Sequence, residues 1–236
     1  MMKFGRIPAI ALLGAMTLAA PAAASDARAR AQQTETERVD RTVSIRAGGR
    51  LQLKNFSGQV KITGSNRADV VIHAVRRAPR ERLDHIKLEI TETGSGVSIE
   101  ANKKDRSWTE RDNDVVETEF DIQVPVDVAL EVEVFSSDVI VKDVRGRQRL
   151  HTFSGEIDVA GAEGALDAET FSGDISVGLA QGISASVDFD SFSGSLKSDV
   201  PMSYRSSNNR RRIRADIGSG GTDYHFKTFS GDVQIR

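Results

Sequence analysis

The chain has 236 residues, with 32 basic and 34 acidic side chains and a formal net charge of −2. This near balance provides no strongly basic surface, so the composition predicts no nucleic-acid partner. Cysteine is absent, which excludes disulfides, cysteine-ligated zinc and a cysteine-linked lipid anchor.

Residues 1–24 have the pattern of a secretory signal peptide. Lys3 and Arg6 precede an apolar stretch from Ile7 to Ala20, and Ala22-Ala23-Ala24 offers a cleavage site before Ser25. A transmembrane anchor is the alternative, but the apolar run is short for a bilayer span. We therefore expect an exported mature chain without a transmembrane span, located in the periplasm, on the cell surface or in the medium.

The segment that follows is predicted to change from disorder to strands. Residues 25–38 are rich in Ala, Arg, Gln, Thr and Glu without apolar periodicity, which predicts a disordered leader. Residues 39–130 alternate apolar and polar side chains and are predicted to form an irregular N-terminal β region. Within it, alternating runs on either side of Thr93-Gly94-Ser95-Gly96 predict a β-hairpin. The mature chain contains no segment with a helical pattern.

A three-residue motif, Phe-Ser-Gly, recurs along the chain, and apolar residues follow at four and six places in every copy except that of Phe192, where the sixth place is Ser198. The copies are Phe56-Ser57-Gly58, Phe153-Ser154-Gly155, Phe171-Ser172-Gly173, Phe192-Ser193-Gly194, Phe229-Ser230-Gly231 and a variant, Phe135-Ser136-Ser137. The Phe residues at 135, 153 and 171 are 18 residues apart, the next interval is 21 and the last is 37. The longest interval is expected to hold either a degenerate copy or an inserted loop.

A repeat of fixed period indicates stacked units, each of which buries its apolar face against the next. Residues 131–236 are therefore predicted to form an all-β, right-handed β-helix-like solenoid with rungs about 4.8 Å apart. The Phe rings are expected to form a ladder packed against Val and Ile ladders. Because Phe229 lies in the last rung along the chain, its ring is expected to have a neighbour on one side only, unlike Phe153.

The run from Phe120 to Val128, the "TFSGDIxV"-like copies and the segment Leu51–Ile62 together resemble the putative-adhesin family of bacterial envelope proteins, a β-strand-repeat domain of unknown function. The resemblance covers roughly residues 40 to 236. It implies a β-helix-like solenoid, an exported location and a role in surface attachment or envelope stress, and it provides no catalytic residues to transfer. The departures are Ser137 in place of Gly and an Arg-rich insertion near residue 210.

The sequence predicts no catalytic residue and no cofactor. Its four histidines are scattered without metal-ligand spacing: His73, His85, His151 and His225. A serine-hydrolase G-x-S-x-G elbow is also missing. An enzyme is therefore not expected.

Two charged features remain as candidates for binding. The first is a set of carboxylates that each lie three residues after a Phe: Asp138, Glu156 and Asp174. In-register stacking would align them in a carboxylate column. Such a column either binds a cation or is simply screened by solvent. The Arg210–Arg214 segment is either an anion-binding loop or a solvated one.

The favoured function is that of an exported, non-enzymatic, adhesin-like binding or scaffold protein of the cell surface or envelope. Its partner is expected to be an envelope or surface component such as a glycan or a protein, and the oligomeric state is left open. The alternatives are a polysaccharide-active β-helix enzyme and an accessory protein of envelope-stress signalling.

Overall fold

Buried and exposed side chains alternate along nearly every strand of this chain, as a two-sided β structure requires. The computed structural model describes residues 34–105, 114–207 and 211–236. These contain one short helix, α1 (Arg80–His85), and seventeen strands. The strands are β1 (Thr34–Ser44), β2 (Arg50–Ser65), β3 (Asp69–Pro79), β4 (Ile86–Thr93), β5 (Gly96–Lys104), β6 (Glu117–Pro125), β7 (Ala129–Lys142), β8 (Gln148–Ser154), β9 (Ile157–Ala162), β10 (Leu166–Ser172), β11 (Ile175–Leu179), β12 (Ala185–Ser193), β13 (Leu196–Ser198), β14 (Met202–Ser207), β15 (Arg212–Ile217), β16 (Thr222–Ser230) and β17 (Val233–Ile235).

The strands form one continuous open sheet that folds into two layers at the Phe-Ser-Gly corner. Layer A contains the segments before the corner, in the spatial order β4, β5, first half of β2, first half of β7, β8, β10, β16, β12, β15 and β14. Layer B contains the segments after it, in the order β1, β3, β6, second half of β2, second half of β7, β9, β11, β17 and β13. Both layers contribute to one hydrophobic core. The predicted all-β solenoid of stacked rungs is confirmed.

Within the stack, equivalent residues of successive rungs pair in parallel register. Leu53 pairs with Val132, which pairs with Leu150, and all three are fully buried. In-register pairing converts each apolar position into a column of contacts, so each rung covers the apolar face of the next. Toward the C-terminal end the core takes larger side chains, including the buried Phe189 and Phe226.

The spatial order of the rungs differs from their order in the sequence. The last strands of the chain, β16 and β17, lie between β10–β11 on one side and β12–β13 on the other. The predicted terminal position of Phe229 is therefore wrong. The 37-residue interval holds an antiparallel hairpin, β14–β15, which pairs with β12 and covers the outer edge of layer A. The interval thus holds an insertion, which is one of the two predicted alternatives, but the insertion contains two paired strands in addition to loops.

The Phe-Ser-Gly corner requires glycine because the chains of adjacent rungs approach closely there. Gly173 has φ 149°, and a Cβ at this position would lie 2.1 Å from the carbonyl oxygen of Gly155. The corner glycines Gly58, Gly194 and Gly231 meet neighbouring carbonyl oxygens in the same way. The exception, Ser137, has no positive φ and lies in β7, which runs unbroken through the corner.

The N-terminal region extends the stack and includes antiparallel pairs. The predicted hairpin is confirmed as β4–β5, whereas α1 is a short helix that the sequence analysis did not predict. The predicted boundary between residues 130 and 131 falls inside β7. Strand β7 pairs with β2 along most of its length, so β2 is the first rung of the same stack. Among the described residues, no helix is both long enough and apolar enough to cross a membrane.

Residues 34–38, assigned from the sequence to a disordered leader, belong to β1. This strand has few apolar residues and pairs antiparallel with β3 from Thr34 to Ser44. Its register also lets Glu37 form an ion pair with the buried Arg76 of β3. Backbone pairing and this ion pair order a segment that has no apolar periodicity. The signal peptide and the rest of the leader lie outside the described residues.

Candidate binding face on layer A

Six phenylalanines form one continuous column of stacked rings on the outer side of layer A, here called the phenylalanine ladder. Their spatial order is Phe56, Phe135, Phe153, Phe171, Phe229 and Phe192. Neighbouring ring centroids are 4.6–4.8 Å apart and the interplanar angles are 1–15°. The predicted ladder is therefore present, but its rings are 41–58% exposed, so the expectation that they pack against Val and Ile ladders is wrong.

The residue before each Phe explains why the rings point outward. Thr152, Thr170 and Thr228 are buried, and strand alternation then turns the following Phe to solvent. The hydroxyl of Thr170 donates to the carbonyl oxygen of Gly155 at 3.4 Å, and that of Thr228 donates to the carbonyl oxygen of Gly231 at 3.0 Å. These threonines supply hydrogen bonds to the buried corner backbone, which phenylalanine could not do.

Two rows of mostly charged residues run beside the phenylalanine ladder on the same outer face. The first charge row contains, in spatial order, Gln52, Glu131, Arg149, Asp167, His225, Asp188 and Arg214. The second charge row, adjacent to the ladder, contains Lys54, Glu133, His151, Glu169, Lys227, Asp190 and Arg212. Acidic residues alternate with basic residues or histidine in both rows, apart from Gln52 at one end. Opposite charges on adjacent strands stabilise the pairing.

Short contacts connect members of these rows. Lys54 Nζ lies 2.8 Å from Glu133 Oε2, and this contact raises the pKa of the lysine. Arg212 Nη2 lies 2.6 Å from Asp190 Oδ2. Glu131 accepts a hydrogen bond from Gln52 Nε2 at 3.0 Å, which holds the pKa of Glu131 below its ordinary value. The face is thus highly charged but locally neutralised.

His151, Asp167 and Glu169 come together in the middle of this face. Each offers one ligand atom, and these atoms lie within 4.8 Å of one another. In the sequence, His151 is one of four scattered histidines, and this cluster was not predicted. The 18-residue period was the available signal, because it separates His151 from Glu169 and also Arg149 from Asp167. Parallel in-register stacking brings residues at that spacing side by side.

The profile of the family described as Toastrack DUF4097 matches residues 111–236, more than half of the chain. The chain belongs to this family. The Toastrack match begins after β5, so the rung formed by β2 precedes the matched residues while stacking on them.

A solved structure supports the fold of this Toastrack protein. A putative cell adhesion protein from Clostridium sporogenes superposes with a TM-score of 0.64 at 10% identity, covering 85% of this chain and 99% of that one. A putative adhesin from Bacteroides fragilis aligns over 85% of this chain and 97% of that one at 14% identity, with a TM-score of 0.29. No curated protein sequence matches the chain.

The carboxylate column predicted from Asp138, Glu156 and Asp174 lies at the start of layer B, just after the corner of each Toastrack rung. Asp138 Oδ1 accepts a hydrogen bond from the backbone N–H of Glu156 at 3.0 Å, and Asp174 Oδ1 accepts one from that of Asp232 at 2.8 Å. The column thus joins adjacent rungs through hydrogen bonds. Binding of a cation there stays a prediction.

The Arg-rich segment lies on and beside the capping hairpin of the stack. Arg212 and Arg214 are on β15 and contact Asp190 and Asp188, with the nearest Arg214 contact at 3.3 Å. The guanidinium carbon of Arg211 lies 5.3 Å from the ring centroid of Phe192. Arg210 lies outside the described residues. The described arginines therefore contact strand residues, although the segment was predicted as a loop.

Proposed function

We propose that this chain is an exported, non-enzymatic, adhesin-like protein that binds a component of the cell surface or envelope through the phenylalanine ladder. The exposed column of six stacked rings carries this proposal. Soluble proteins seldom expose a large contiguous apolar surface, and such a surface usually marks an interaction site. The ladder is also separate from the core, which lies between the two layers.

The dimensions of the ladder favour an extended partner. Five steps of 4.6–4.8 Å give a stripe roughly 24 Å long, comparable to a strand of seven residues. The adjacent second charge row forms a polar margin. An apolar centre bordered by polar residues is the usual arrangement of protein–protein contacts.

The orientation of the rings favours a protein partner over a glycan. Inside the ladder each ring face contacts another ring, so the ring edges are what solvent reaches. Sugar rings stack on aromatic faces, whereas aliphatic side chains pack against edges as well as faces. At one end, the cationic Arg211 lies over the face of Phe192. We therefore propose a partner segment rich in aliphatic side chains.

A comparison of variants in a binding assay tests this function. Purified protein is incubated with the envelope fraction of its own cells, and the bound fraction is measured after sedimentation. The double variant Phe153→Thr and Phe171→Thr should lose most of the binding, because threonine suits a strand but leaves a gap in the ladder. The matched control is Tyr204→Thr, which removes an aromatic side chain that is 63% exposed and lies outside the ladder.

Protease pretreatment of the envelopes separates the two partner classes. Loss of binding after proteolysis supports a protein partner, whereas binding that survives proteolysis and is abolished by glycan removal indicates a glycan. Equal binding by the double variant and the unmodified protein would overturn the role of the ladder. Sequencing of the mature N-terminus tests export separately, with Ser25 as the expected first residue.

A further inference from the structure

We propose that His151, Asp167 and Glu169 form a binding site for a divalent transition-metal ion of the zinc type on the outer face of layer A. The rung register creates this cluster. His151 on β8 lies directly opposite Glu169 on β10, and Asp167 precedes Glu169 by two residues on the same outward face. The three side chains are half-buried and their ligand atoms lie within 4.8 Å of one another.

Two unpartnered atoms give independent support for a bound ion. His151 Nε2 and Asp167 Oδ1 are buried and have no hydrogen-bond partner among the described residues. Six side-chain atoms of the described chain share this property, and two of them fall within this three-residue cluster. Leaving such groups unsatisfied costs about 1–3 kcal/mol each, and an ion is one of the recognised ways to satisfy them.

The neighbouring cations leave ligand positions open. Arg149 Nε approaches Asp167 through Oδ2 at 3.6 Å, so Oδ1 is not used. Lys227 Nζ lies 3.5 Å from Glu169 Oε2. Both basic side chains are largely exposed and both contacts are long, so they stabilise little. They can swing outward when a metal ion supplies the compensating positive charge.

The charged groups around the cluster balance one another while the basic side chains stay in place. Glu133 pairs across the strands with His151 from the side opposite Glu169, and it is held by Lys54. His225 lies beside Asp167 on β16. The immediate surroundings thus hold three carboxylates, two histidines and three basic side chains at the periphery.

The donor set selects the class of metal. One imidazole nitrogen with two carboxylate oxygens suits Zn²⁺ and related first-row divalent ions, whereas Ca²⁺ and Mg²⁺ prefer oxygen ligands alone. Donors bound tetrahedrally to one zinc ion at about 2.1 Å lie about 3.4 Å apart. The ligand atoms lie within 4.8 Å of one another, so side-chain rotations that close the widest gap by up to about 1.4 Å would complete the site. The remaining coordination positions are open to water or to a ligand from a partner.

Isothermal titration calorimetry with zinc chloride tests the site on the purified protein. We expect one zinc ion per chain and no comparable binding of calcium chloride. His151→Ala should weaken zinc binding by at least about tenfold, and Glu169→Gln should also weaken it. The matched control, His73→Ala, removes a histidine of layer B that pairs with Asp40 and Asp121 and should leave the affinity within about twofold.

Circular dichroism verifies that each variant is folded, and Glu169→Gln provides the test if His151→Ala fails to fold. The proposal is overturned if the unmodified protein binds no zinc, if folded His151→Ala or Glu169→Gln binds zinc unchanged, or if His73→Ala loses as much affinity as His151→Ala. These results are independent of envelope binding by the phenylalanine ladder.

Discussion

Phe171 and Phe229 stack with their ring centroids 4.6 Å apart, although Phe192 is the next ladder residue after Phe171 along the chain. Phe192 stacks instead on the opposite face of Phe229, at 4.7 Å. The C-terminal rung is thus inserted between two rungs that are consecutive in sequence. The chain can complete this stack only after its last strands have formed.

The ladder order changes what is expected of phenylalanine substitutions. Phe153→Ala and Phe229→Ala should destabilise the protein equally, by about 1 kcal/mol, because each ring has two stacked neighbours and is half-exposed. Urea denaturation measures both losses. Phe226→Ala serves as the core reference and should cost about 3–5 kcal/mol, since this side chain is fully buried. A clearly smaller loss for Phe229→Ala would contradict the observed order.

The stacking register was predictable because it depends on local repetition. A period of 18 residues between Phe135, Phe153 and Phe171 specifies which residues pair in parallel strands, and the structure has that register. The outward direction of the rings follows from strand alternation once the residue before each Phe is placed in the core. That placement was not predicted, because this residue is polar and threonine is usually exposed.

The rung order was not predictable from the repeat. The strands β12 and β16 carry the same alternation and end in the same motif, so either could pair with β10 on local grounds. Longer-range features decide the outcome, including the pairing of β15 with the free edge of β12. The same limit applies to the metal cluster, since His151 has recognisable partners only once the strands are aligned.

Removal of the last rung tests its inserted position. A chain ending at Gly221 lacks β16 and β17. In the full chain, β16 pairs in parallel with β10 and β12, and β17 pairs in parallel with β11 and β13. We expect hydrogen-exchange protection to be lost from the strands β12 to β15 and retained in β2 and β7. The control Gln234→Ala changes one exposed side chain of β17 and should leave protection unchanged. Full protection of β12 in the shortened chain would argue against the insertion.

The corner glycines should be intolerant of even one extra carbon atom. Gly173→Ala should destabilise the protein by about 3 kcal/mol, because the new Cβ would overlap a backbone oxygen of the neighbouring rung and φ is 149°. Gly94→Ala is the matched control, since a Cβ there meets no atom within 4 Å, and its effect should stay within about 0.5 kcal/mol. Thermal or urea unfolding distinguishes the two, and similar stabilities would refute the close approach.

The carboxylate column should respond differently at two of its members. Asp174→Ala should cost about 1 kcal/mol, because it removes the hydrogen bond to the backbone N–H of Asp232. The carboxylate of Glu156 makes no such bond within the described residues, so Glu156→Gln should leave stability unchanged or raise it slightly by relieving repulsion. Thermal melts in chelator and in millimolar calcium complete the test. Stabilisation by calcium that disappears in Glu156→Gln would establish a cation-binding column.

Acid should weaken the contact between the C-terminal rung, which ends in β17, and the neighbouring rung, which ends in β13. Lys197 Nζ lies 2.9 Å from Asp232 Oδ2, and this hydrogen-bonded contact, with those from Ser195, holds the pKa of Asp232 below its ordinary value. A carboxyl whose pKa is lower in the folded than in the unfolded state stabilises the fold above its unfolded pKa of about 4. That contribution is lost as the pH falls through the folded pKa.

Asp232→Asn should therefore reduce stability at neutral pH and flatten the decline of stability below about pH 4. The asparagine oxygen can still accept from Ser195, so the variant mainly removes the charge. Lys197→Met removes the other charge of the pair. The double variant should lose less free energy of unfolding than the sum of the losses in the two single variants. Urea denaturation from pH 2 to pH 7 measures these effects. Unchanged acid sensitivity in both single variants would show that the pair contributes nothing to rung cohesion, because its exposed charges are screened by solvent.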